Sequence, residues 1–109
     1  MTTTYKVLGQ IAAGSVTNET VYTVPSATEA VVSTITVCNR GTAAATYRLA
    51  VRPDGTALGN LHYIAYDATV PGNDAIALTL GLSLNASDII ATYASNANLT
   101  FNVFGAEII

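Results

Sequence analysis

Apolar residues in this chain recur at alternate positions in short runs. They never settle into the i, i+3, i+4, i+7 spacing that gives a helix one greasy stripe. Each run is rich in Val, Ile, Thr, Tyr and Phe and ends at a cluster of Gly, Pro, Asn or Asp, the pattern of strands separated by tight turns. Eight runs are expected as strands, at about Tyr5–Gln10, Thr20–Val24, Ala30–Asn39, Ala44–Arg52, Leu61–Ala68, Ala75–Leu82, Ile89–Ala94 and Leu99–Glu107. Eight short strands with no helices between them predict an all-β, single-domain antiparallel sandwich of jelly-roll-like form over residues 1–109. The first residues, 1–4, are expected to be flexible or bound to a partner.

A period of two also assigns faces. Tyr47, Leu49 and Val51 share one side of their strand, with Arg48, Ala50 and Arg52 opposite. Ile76, Leu78, Leu80 and Leu82 face one way, and Ala75, Ala77 and Thr79 the other. Leu99, Phe101 and Val103 oppose Thr100, Asn102 and Phe104. The second set in each strand is mostly Ala, Thr and Asn rather than charged, which suits a surface that packs against something. Pro25 should end the second strand, since it has no N–H to give a ladder. "RPDG", Arg52 to Gly55, fits a type I turn, and Pro71–Gly72 in "VPGND" fits a type II turn.

The stretch "TVCNRGTAAATYRLAVR", Thr36 to Arg52, holds the only cysteine and three of the four basic residues. A nucleophilic Cys38 would need a base held beside it, and the only histidine, His62, lies on another strand. The stretch is read instead as a β-hairpin, with Cys38 a small buried apolar residue. Its loop, "NRGTAA", would use Asn39 and Gly41 at positive φ.

Composition narrows the function. Charged residues are 10% of the chain, against roughly 25% in an average soluble domain, so little of the surface is built to face water alone. A net charge of −3 with only Lys6, Arg40, Arg48 and Arg52 as cations gives no basic stripe for nucleic acid. No apolar run is long enough to cross a membrane as a helix, and "MTTTYKVLGQ" lacks the charged and apolar regions of a signal peptide. One cysteine makes no internal disulfide, and no Cys/His cluster points to zinc. Asp67, Asp74 and Asp88 are scattered through turns without a calcium-loop spacing. No phosphate loop, dinucleotide fingerprint or nucleophile elbow occurs, so no cofactor, metal or catalytic residue is expected. Three sequons at Asn18, Asn85 and Asn98 read as chance matches in an Asn- and Thr-rich chain.

The residues left over are candidates for contact. Arg40, Arg48 and Arg52 are read as ion-pairing with a neighbour's acids or lying along an assembly seam. "LHYIAYD", Leu61 to Asp67, concentrates His62, Tyr63 and Tyr66. One of its faces is expected in the core and the other at an inter-subunit surface. Tyr63, Tyr66 or the outward Phe104 stacking on sugars is the alternative.

At "ETVYTVPSATEAVVSTITVCNRGTAAATYRLAVRPDG" the chain resembles a group of short tailed-bacteriophage virion proteins. Their shared pieces are "LYTVP", "VCNRG", "R-x-A-V-R-P", "HYIAYD" and a closing "ASN-x-N-x-x-F-N-x-F-G-x-E-I". Here these fall at Val21–Pro25, Val37–Gly41, Arg48–Pro53, His62–Asp67 and Ala94–Ile108, and the likeness spans residues 5–108. The resemblance implies a β-sandwich structural component of the particle and brings no catalytic motif. The expected role is therefore a capsid decoration, or cement, protein on the virion exterior. Its partners would be copies of itself, as two-fold or three-fold oligomers, and other virion proteins, foremost the major capsid protein. Neither nucleic acid nor membrane is expected as a partner. The alternative is a tail, baseplate or fibre component that touches receptor glycans.

Overall fold

A computed structural model describes all residues, 1–109. The eight expected strands are present: β1 (Thr3–Ala12), β2 (Asn18–Thr23), β3 (Glu29–Asn39), β4 (Ala45–Arg52), β5 (Tyr63–Val70), β6 (Asp74–Leu84), β7 (Ile89–Ala94) and β8 (Leu99–Ile108). The only helical pieces are two 3₁₀ turns, Pro53–Gly55 and Asn60–His62, and no helix is long and apolar enough to cross a membrane. The strands form two four-stranded antiparallel sheets, ordered β1-β8-β3-β6 and β2-β7-β4-β5. Pairs 1·8, 2·7, 3·6 and 4·5 are successive rungs of one long ribbon folded at its middle and wrapped into a sandwich, which is jelly-roll topology.

The core lies between the sheets, where the alternating positions meet. Ile35, Leu49, Ile90, Leu99, Phe101 and Val103 are fully buried, and each such side chain contributes about 1.5–3 kcal/mol. Tyr47 meets Phe101 edge-on, with ring centres 6.3 Å apart. Where the wrap closes, Tyr22 of β2 donates through its hydroxyl to Glu107 Oε2 of β8 at 2.6 Å, and Lys6 of β1 donates to Glu107 Oε1 at 3.0 Å. This three-residue clasp joins the two sheets at their β1/β2 margin. The two bonds hold the Glu107 carboxyl below its usual value, the one from Tyr22 foremost. Burial, and then the bond to Glu107, push the Tyr22 phenol well above its ordinary range.

Several local expectations are corrected. Thr36–Arg52 is not a hairpin, because β3 and β4 lie in different sheets and the turn between them crosses the sandwich. Cys38 is half-buried and belongs to the outer face of its sheet, while its neighbour Asn39 is the buried residue, 1% exposed. Asn39 organises the crossing: its Nδ2 donates to Ala43 O at 2.9 Å and to Val70 O of β5 at 3.1 Å, and its Oδ1 accepts from Gly41 N–H at 2.9 Å. Neither Asn39 nor Gly41 has positive φ. After β4, the turn is Pro53–Thr56, closed by Thr56 N–H to Pro53 O. Asp54 and Gly55 both have positive φ there, so it is type I′ rather than type I. In the β5–β6 turn Asn73, not Gly72, carries the positive φ, and Gly72 is needed because a Cβ would overlap Thr42 O. Residues 2–4 pair within the chain: Thr3 and Thr4 belong to β1, and Thr2 exchanges both backbone hydrogen bonds with Ile109.

Candidate functional site

The outer face of the β1-β8-β3-β6 sheet is set by strand register. Four successive rows cross it: Ala12–Thr100–Cys38–Ala75, Gln10–Asn102–Thr36–Ala77, Val7–Phe104–Thr34–Thr79 and Tyr5–Ala106–Val31–Ser83. None of these residues is charged, and a further row, Thr3–Ile108–Glu29, ends the face with one carboxylate. Tyr5, Val7 and Val31 are exposed, Tyr5 to 85%, so large apolar side chains of this face meet solvent beside the uncharged polar Gln10, Thr79 and Ser83. With strands about 4.8 Å apart and a rise of about 3.3 Å per residue, the grid covers roughly 20 Å by 25 Å. Gln10 and Asn102 satisfy each other across it, Nε2 to Oδ1 at 2.7 Å.

Strand irregularities shape one corner. Ser33 is an extra residue in β3 against β8, and Leu8 is one in β1, so both strands bulge beside Phe104–Ala106. The Ser33 hydroxyl donates to Phe104 O at 3.1 Å. Bulging opens a cavity of about 300 Å³ between Tyr5, Val31 and Phe104, floored by Gly105 and Ala106 and edged by Lys6 and Ser33. Tyr5, Val31 and Phe104 with a small-residue floor make it mostly apolar, and its side-chain polar groups are the Tyr5 and Ser33 hydroxyls and the Lys6 ammonium.

The opposite sheet presents a different surface. A bulge in β5 sets two residues, Tyr66 and Asp67, opposite Arg48, and Asp67 takes φ 52° to do so. Both side chains are thereby aimed at Arg48. Its Nε donates to Asp67 Oδ1 at 2.7 Å and its Nη2 to Oδ2 at 3.4 Å. The guanidinium lies 4.1 Å from the ring centre of Tyr66 and 4.3 Å from that of Tyr93, which faces it across β7. Tyr63 meets Tyr66 edge-on, with centres 4.9 Å apart. The bond to Asp67 raises the Arg48 guanidinium above even its ordinary value, so Arg48 keeps its charge at any working pH and spends it on its salt bridge to Asp67. One face of each of Tyr66 and Tyr93 is occupied by Arg48, which leaves less aromatic surface for a sugar than the sequence promised.

The six expected contact residues therefore divide. Arg48, Tyr63 and Tyr66 come together in this stack, and Phe104 lies on the other sheet. Arg40 and Arg52 serve turns: Arg40 Nη2 donates to Ala97 O at 2.9 Å and its Nε to Thr100 Oγ1 at 3.0 Å, while Arg52 binds Thr56 O and Gly55 O. All three arginines thus bond within their own chain. Tyr93, Asp67, Tyr5 and Val31 were missed. Alternation along β7 would have placed Tyr93 outward beside Arg48, but the bulges that aim Asp67 and open the cavity follow no residue-type rule.

Cys38 and His62 are not brought together. Cys38 is in β3, whose end meets β5 at Val70 through Asn39, whereas His62 is in the Asn60–His62 turn that precedes the other end of β5. His62 Nδ1 accepts from Gly59 N–H at 2.9 Å and so braces its own turn. No group of three or more His, Cys, Asp and Glu side chains is placed to hold a metal ion. Comparison with known protein families finds no match, and comparison with curated proteins finds none either.

Proposed function

We propose that this chain is a non-enzymatic structural protein of a bacteriophage particle, a decoration subunit that binds the outside of the head and reinforces contacts between major capsid subunits. The observation that carries the reading is the uncharged four-by-four outer face of the β1-β8-β3-β6 sheet. A face of roughly 500 Å² in projection approaches the footprint of a standard interface, about 800 Å² of accessible surface per partner. Ordering and association oppose binding, so each contact is modest. Repetition on a symmetric shell multiplies it through avidity. The resemblance of five short stretches to tailed-phage virion proteins supports the same reading. A tail, baseplate or fibre subunit is the second reading, favoured by the cavity that Tyr5 and Phe104 line, since aromatic side chains at an open cavity offer apolar surface to a sugar ring.

The test uses undecorated heads of the phage that encodes the chain. Purified protein should co-sediment with them and saturate at hundreds of copies per particle, and Val7→Lys with Val31→Lys should abolish capture without loss of the β-sheet circular dichroism signal. Tens of copies in virions, with none on heads, would replace the decoration reading by the tail reading.

A further inference from the structure

The one cavity of the molecule opens on the face that the decoration reading turns toward the head. The large apolar side chains that the strands of this face expose all adjoin it. Tyr5 and Val31 line it, and Val7 pairs with Phe104, its third wall. Its volume of about 300 Å³ is at the lower end of ligand pockets, roughly 300–1,000 Å³, so it holds one ring rather than an extended molecule. We infer that this cavity is the anchor pocket of the docking face, and that its occupant is a single aromatic side chain projecting from the major capsid subunit. The inference rests on the decoration reading and names the contact on which that binding turns.

Chemistry selects the occupant. Tyr5 and Phe104 offer a third ring offset or edge-to-face contact. The lining holds no carboxylate or amide side chain. Of its polar groups, the Ser33 hydroxyl already donates to Phe104 O at 3.1 Å and the Lys6 ammonium to Glu107 Oε1 at 3.0 Å. A sugar would bury several hydroxyls against this lining with few partners, which is costly. An acidic side chain would have to compete with Glu107 for Lys6. The area points the same way. A flat partner covers roughly 500 Å² of this face, short of the about 800 Å² per partner of a standard interface. An aromatic side chain sunk in the cavity adds about 150–250 Å² on the shell's side. Anchors of this kind, aromatic and seated in a pocket, are where interfaces concentrate their binding energy.

Two measurements test it, one on the cavity and one on heads. p-Cresol, the tyrosine side chain freed of its backbone, should shift the Gly105 and Ala106 amide resonances saturably, with a Kd of roughly millimolar order. Methyl α-glucoside should leave them in place. Ala106→Leu puts a larger side chain on the cavity floor and Tyr5→Ser removes one wall. Each should abolish the p-cresol shift and weaken capture by undecorated heads at least about tenfold. Tyr5 is exposed, so Tyr5→Ser keeps the test if Ala106→Leu folds poorly. Thr79→Ala, exposed on the same face but two strands from Phe104, should leave both readouts unchanged. No p-cresol shift, or a shift by the glucoside alone, would overturn the proposal, the latter by assigning the cavity to a sugar. Wild type that ignores heads would remove the decoration reading and this inference together. Equal capture of wild type and both cavity variants would remove this inference and leave the decoration reading standing.

Discussion

Asn39 and Cys38 are adjacent, and replacing each with alanine separates two accounts of the β3–β4 crossing. Asn39→Ala removes two donated bonds and one accepted bond, at 2.9, 3.1 and 2.9 Å, from a side chain that is 1% exposed. At a net contribution of about 1 kcal/mol each, the loss is about 3 kcal/mol, and the void left behind adds to it. With about 2.1 cal/mol/K of unfolding entropy per residue, a chain of this length loses about 4 °C per kcal/mol, so the melting temperature should fall by about 13 °C. Cys38→Ala trims a half-buried thiol on the outer face, and the expected cost is under about 1 kcal/mol. Thermal denaturation followed by circular dichroism reads both. Equal losses, or a larger loss for Cys38→Ala, would refute the inward orientation of Asn39 and with it the account of how the chain passes between sheets.

Two further outcomes follow from packing and charge. Tyr22→Phe removes the hydroxyl bond to Glu107 and should cost about 1.5–3 kcal/mol at neutral pH. Because folding lowers the Glu107 value, the wild-type advantage should be full above the unfolded carboxyl value near pH 4.3 and shrink as pH falls through the lower folded one. The raised phenol gives the opposite limb, so wild-type stability should also decline as pH rises past about 10, and the variant should keep only the part of that decline that Tyr47, raised by burial, contributes. Denaturant titrations across pH check both signs; a pH-independent difference would disprove the clasp. Gly72→Ala drives a methyl into Thr42 O and should destabilise more than Gly81→Ala, where φ is +61° but the space is open and the expected cost is about 1 kcal/mol. The reverse order in urea midpoints would contradict the turn geometry.

The strands were readable because alternation is a local signal, and the expected inward sets of β4, β6 and β8 pack as assigned. Sheet order was not readable, since only β4 and β5 pair with a sequence neighbour and every other pairing joins distant segments. At β3 the failure was of another kind. Counting by twos from Ile35 and Val37 leads to Asn39, yet residue-type preference argued for cysteine inside and asparagine outside. Geometry prevailed because the amide's donors and acceptor all find backbone partners. The uncharged outer face was legible as Ala, Thr and Asn at alternate positions. Its cavity was not, because bulges at Leu8 and Ser33 change the phase of two strands without announcing themselves in residue type.

The place of β8 between β1 and β3 has a consequence for synthesis. While a ribosome is still making residues 99–108, the segments that will flank that strand have no partner between them, and β1 has no ladder at all. The first sheet cannot be completed until the closing segment has left the exit tunnel, so its assembly is expected to wait for β8 and to be slow, in the millisecond-to-second range of non-local β folds. Nascent chains stalled before Leu99 would expose uncapped ladders, which makes them clients for chaperones rather than early intermediates of a finished subunit.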